Sequence, residues 1–167
     1  LLSHRNVKTL TATQMLKVFP DVAIGRAFGR EELRALAGAL AREITFQRLD
    51  SVAVTAAEAF GMIVSALEQF VSRRQMPDAV ACERVFNPTR RPLSPAREFA
   101  GSWQSFGHAV RVAARHVATA GSVPNYVPFA GRLVAPHDFL AACAGALERL
   151  LSGESAPDAV AVRPAAV

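Results

Sequence analysis

The chain has 167 residues, 51% of them hydrophobic and 20% charged, with a formal net charge of +5. That is enough apolar material for one packed domain or a few small stacked units, and it excludes a disordered chain. No apolar run approaches the roughly eighteen residues a membrane-crossing helix needs, and the start, Leu1-Leu2-Ser3-His4-Arg5, has neither an initiator Met nor a signal-peptide pattern, as expected of an excised or mature piece.

Five helical stretches follow from apolar spacing. The first covers about 12–19 and stops at Pro20. The second covers about 30–44, with Leu33, Leu36, Ala37, Leu40 and Ile44 on one side and Glu31 and Glu32 in the first turn, where the helix dipole favours acids. In the third, about 56–73, Phe60, Ile63, Val64, Leu67, Phe70 and Val71 form a stripe behind a Thr55/Glu58 capping box. The fourth, about 95–119, steps through Phe99, Trp103, Phe106, Val110, Ala113 and Val117 to Gly121, and its internal Gly101 and Gly107 suggest a close crossing or a bend. The fifth, about 136–151, carries Phe139, Leu140, Cys143, Leu147 and Leu150. Residues 154–167 lack a helical period and are expected to form a disordered tail or linker.

One phrase recurs at intervals of about forty residues, a spacing that calls for stacked repeats. It reads Thr11-Ala-Thr-Gln14-Met-Leu16, Thr55-Ala-Ala-Glu58-Ala-Phe60, Ser94-Pro-Ala-Arg-Glu98-Phe99 and Ala135-Pro-His-Asp138-Phe139, a helix start in each case. A second phrase, apolar-Pro-Asp/Asn, appears at Phe19-Pro20-Asp21, Met76-Pro77-Asp78 and Val123-Pro124-Asn125. The expected fold class is therefore mainly α: tandem helical repeats of about forty residues with short extended or hairpin connectors. Residues 1–153 would hold three or four degenerate repeats, with 1–54 a cap or a degenerate copy.

Chemistry-bearing motifs are scarce. His4, His108, His116 and His137 lack metal-ligand spacing, and Cys82 and Cys143 are too few for a disulfide framework. No nucleophile–base order, phosphate loop or converging carboxylate pair occurs; Gly25 and Gly29 lack the Lys-Ser/Thr ending of a phosphate loop. The expectation is a non-enzyme with no metal and no cofactor. All basic residues but Lys8 and Lys17 are Arg, whose fork suits carboxylate or phosphate, yet they are scattered, and the aromatic-basic interleaving is confined to Arg84–Arg91, so nucleic acid is a minor alternative.

Residues Ala114 to Leu140, with Val123-Pro124-Asn125-Tyr126-Val127, the turn glycine Gly131 and Val134-Ala-Pro-His-Asp138-Phe139-Leu140, resemble the pseudomurein-binding repeat. Phe19-Pro-Asp-Val22, Val85-Phe86-Asn87-Pro88 and Leu93-Ser-Pro-Ala-Arg-Glu98-Phe99 are more weakly similar to the S-layer homology domain. Both resemblances imply a noncatalytic module of a prokaryotic surface protein that binds cell-wall glycan outside the cell, alone or beside other surface subunits. The corresponding site would use Tyr126 and Phe129 as a sugar-stacking platform, Asn125 and Arg132 as hydrogen-bond donors, and Arg90 and Arg91 to meet anions. The competing structural reading, which carries more weight, has Tyr126 and Phe129 closing the end of a helix pair, with Asn125 making a local turn. The alternative function is a helical-repeat scaffold for protein interaction or self-assembly.

Overall fold

A computed structural model describes residues 22–49, 52–90 and 97–166. Among these residues it contains four helices and eight short strands in two halves of the same design. In the first half, β1 (Ala27–Gly29) leads into α1 (Arg30–Leu40), a hairpin of β2 (Gln47–Leu49) and β3 (Val52–Val54), then α2 (Ala56–Arg73) and β4 (Ala79–Ala81). The second half repeats that order with β5 (Phe99–Ser102), α3 (Trp103–Ala120), β6 (Val127–Phe129), β7 (Arg132–Val134), α4 (Pro136–Leu151) and β8 (Ala159–Val162).

Within each half the first and last strands pair antiparallel, Phe28 opposite Val80 and Gly101 opposite Val160. The hairpins also match, Leu49 facing Val52 in one and Phe129 facing Arg132 in the other. Between halves, α1 packs on α4, α2 on α3, and α2 on α4. Exchanging the halves maps this set of contacts onto itself, the pattern of an approximate twofold axis lying between α2 and α4. One core runs through both halves, from Phe28, Leu33 and Leu36 to Phe106, Phe139 and Val162.

This mixed α/β arrangement overturns the expected array of forty-residue helical repeats. The true unit is about twice that length, two helices around a hairpin bracketed by a strand pair, and its clearest mark is the word Pro-Asp-Ala-Val-Ala at Pro77–Ala81 and again at Pro157–Ala161. Of the four helix-start phrases, those at Thr55 and Ala135 do begin helices. The copy at Thr11 and the expected helix 12–19 lie outside the described residues, as does Ser94. Phe99 belongs to β5, and α3 starts at Trp103 behind Ser102, whose hydroxyl accepts the Ser105 N–H at 3.2 Å. Segment 154–167, expected as a tail, supplies β8. Its chain end is fastened further: buried Asp138 accepts the Ala165 N–H at 2.8 Å, and the Ile44 N–H donates to the Ala166 carbonyl at 2.8 Å.

Local chemistry explains the elements that did follow expectation. Thr55 and Glu58 satisfy each other's backbone amides, Thr55 Oγ1 accepting the Glu58 N–H at 3.2 Å and Glu58 Oε2 accepting the Thr55 N–H at 2.9 Å. Glu32 accepts the Gly29 N–H in the same way at the start of α1. Gly121 closes α3 in the left-handed conformation (φ 62°), where a side chain would be strained. The two expected close approaches are real but differ in kind. Gly107 of α3 faces Val71 of α2, whereas Gly101 lies in β5, where an added Cβ would come within 2.5 Å of Phe129 Cζ.

Candidate functional site

The sequence-predicted site residues separate along the second hairpin. Phe129 at its tip is only 2% exposed and is held by Phe99, Phe106 and Phe139 at centroid separations of 5.7, 5.9 and 6.5 Å. It is therefore a core residue and cannot serve as a sugar platform. Arg132, its cross-strand partner, lays its guanidinium 4.7 Å above the Phe99 ring. That contact places Arg132 at the tip, several residues of extended chain from Asn125 at the base.

The base of the hairpin keeps the rest together. Asn125 Oδ1 accepts the Arg90 N–H at 2.9 Å and lies 3.5 Å from Thr89 Oγ1, so this side chain ties the loop after Pro88 to the loop before β6. Tyr126 beside it is 50% exposed, and Arg90 is also exposed. Arg91 lies outside the described residues.

The surrounding surface contains residues that the sequence reading passed over. Phe46 precedes the first hairpin as Tyr126 precedes the second, and it is 59% exposed; Phe86, next to Asn87, is 64% exposed. A small apolar pocket of about 140 Å³ is lined chiefly by Ile44, Phe60, Pro88, Val123, Pro136 and Leu140, so residues one to three positions from these aromatics reach it while the aromatics themselves do not line it. Phe60 and Leu140 hold matching places in α2 and α4, as do the helix starts Ala56 and Pro136, which puts the pocket on the approximate twofold axis. The Phe86 N–H donates to the Gly121 carbonyl and the Val123 N–H to the Phe86 carbonyl, both at 2.9 Å, fixing one rim. His137 lies at the pocket with Nε2 3.5 Å from the buried Asp138 carboxylate. The equivalence of Phe46 and Tyr126 was legible once the Pro-Asp-Ala-Val-Ala word set the two halves in register.

The arrangement offers flat apolar faces, a shallow hydrophobic seat and polar groups at one side, which suits binding. Among the described residues no cluster of three or more His, Cys, Asp or Glu could hold a metal. Cys82 and Cys143 are both buried and neither is in a disulfide, and burial pushes the Cys143 thiol well above its ordinary range, so neither is placed as a nucleophile. No described helix is long and apolar enough to cross a membrane. Comparison with protein-family models, curated proteins and solved structures finds no match to this chain.

Proposed function

We propose that this domain is a noncatalytic module that binds a cell-wall or surface polysaccharide and so anchors a larger protein at the outside of a cell. The observation that carries the reading is the pair of exposed aromatics, Phe46 and Tyr126, at matching positions of the two halves, each two or three residues along the chain from a residue, Ile44 or Val123, that lines an apolar seat. Sugar rings present C–H faces that pack on aromatic rings, while their hydroxyls seek polar partners such as Asn125 and Arg90 at the rim. The resemblance of Ala114–Leu140 to the pseudomurein-binding repeat points the same way, with the correction that Phe129 and Arg132 belong to the core and the hairpin tip.

The test is sedimentation of the protein with purified wall sacculi, with release of reducing sugar measured alongside. Tyr126→Ala and Phe46→Ala should each weaken binding by about 1 kcal/mol, roughly fivefold, and the parent should release no sugar. Binding should survive raised salt, whereas attachment to nucleic acid would collapse. Folded variants that hold sacculi as tightly as the parent would overturn the reading.

A further inference from the structure

Two grooves of about 520 Å³ each occupy matching places in the halves. One has a floor on α2 (Gly61, Ser65, Gln69), a wall along β4 and a second wall on α3. The other uses Ala141, Gly145 and Arg149 of α4, the β8 strand and the end of α1.

The strand wall is an open edge. Gly25 (φ 82°) and Arg26 form a bulge opposite Cys82, whose N–H donates to the Arg26 carbonyl and whose carbonyl accepts the Gly25 N–H, both at 2.8 Å. Backbone groups alternate sides along a strand, so Val80 also faces β1 while Ala79 and Ala81 direct theirs away from it, toward the groove. Among the described residues these groups have no hydrogen-bonded partner. An open edge bordering a groove is the geometry in which an extended chain adds as a further strand.

The grooves differ in where their unpaired arginines sit. In the α4 groove, Arg149 pairs with Glu154 at 2.7 Å and Arg163 with Glu98 at 2.8 Å, which leaves Arg42, beside Glu43 just past the end of α1, as its one arginine outside the ion pairs among the described residues. In the α2 groove, the far wall is the longer helix α3, which carries Arg111 and Arg115 one turn apart, and neither guanidinium has a partner among the described residues. Two acids also line this groove, Glu68 on α2, which accepts a hydrogen bond from Ser72 at 2.7 Å, and Glu83 beyond the end of β4, so its positive charge is confined to the α3 wall. A strand laid along β4 would have its outer edge against the two free guanidiniums.

We propose that the α2–β4–α3 groove binds an extended acidic peptide segment of a partner protein, pairing with β4 through its backbone and meeting Arg111 and Arg115 with its carboxylates. This site is separate from the aromatic surface and does not depend on glycan binding. The probe is the peptide acetyl-Val-Glu-Val-Glu-Val-amide, with the Lys-for-Glu peptide as control, titrated into isotopically labelled protein and followed by amide NMR. The acidic peptide should shift and protect the Ala79, Ala81 and Glu83 amides, and the lysine peptide should not. Ala81→Pro removes a groove-facing N–H without touching the pairing to β1, and should weaken binding at least about tenfold. The double variant Arg111→Glu/Arg115→Glu, on an exposed helix face, should do the same and reports even if the proline variant fails to fold. Equal binding of both peptides, shifts confined to other surfaces, no saturable binding, or an Arg double variant that binds like the parent would each overturn the proposal.

Discussion

Replacing Gly101 by Ala tests the aromatic core directly. A Cβ at this position would stand 2.5 Å from Phe129 Cζ, 2.6 Å from Cε2 and 2.9 Å from Ala130 Cβ, all well inside van der Waals contact. Phe129 has little freedom to withdraw, since Phe99, Phe106 and Phe139 surround it and the Phe129–Arg132 turn is pinned by the Ala130 N–H to Ser105 Oγ hydrogen bond of 3.3 Å. Overpacking of this kind costs about 1–3 kcal/mol, and the rigid surroundings place Gly101→Ala near the upper end. For a domain of this size, about 3 kcal/mol corresponds to a fall of roughly 6–12 °C in Tm. Urea denaturation should show a lower midpoint with an unchanged slope. In a Phe129→Leu background the same substitution should cost less, with a coupling of about 1 kcal/mol or more. Gly145→Ala is the internal control: nothing lies within 4 Å of its added Cβ in the middle of α4, so it should stabilise by about 0.5–1 kcal/mol. A Gly101→Ala protein that melts with the parent would refute the packing argument.

Thr55→Ala should lower stability by about 1 kcal/mol by leaving the Glu58 N–H without its hydroxyl partner, checked by the denaturation midpoint. Cys143 carries a pH prediction: its pKa is raised by burial, so the folded chain keeps a proton that the unfolded thiol loses above about pH 8.5. Its contribution is complete below that pH and is lost as pH rises toward the folded value; Cys143→Ala should flatten the alkaline decline in Tm. Native Cys143 should also resist alkylation at pH 8, and rapid labelling without unfolding would contradict its burial.

Helix α2 was readable because several signals agree on it, from the Thr55/Glu58 cap to the Phe60–Val71 stripe. Strand β5 was not, since Phe99, Trp103 and Phe106 continue a helical spacing of four and three across the boundary at Ser102. With strands of three or four residues, alternation has too few positions to compete with that rhythm. The misplaced platform has the same origin: once β6 is a strand, Val127 and Phe129 share the buried face and Tyr126 falls on the other. What joins Arg90 to Asn125 is a backbone-to-side-chain hydrogen bond across 35 positions, for which local pattern holds no signal. Among the described residues only the Thr55 and Ala135 phrases begin helices, eighty residues apart, and that period is hidden unless the Pro77 and Pro157 words are aligned.

The way α1 lies on α4 and α2 on α3 sets a limit on growth. In a solenoid every unit offers one face to the unit before and another to the unit after, so length is open-ended. Here the two halves use the same faces on each other, as the subunits of a closed dimer do, and a third half would find no vacant partner. A longer protein of this design would have to string whole pairs together like beads, each folding and failing as a unit. Cutting the chain between β4 and β5 would leave two fragments with exposed cores, able to regain their structure only by finding each other again.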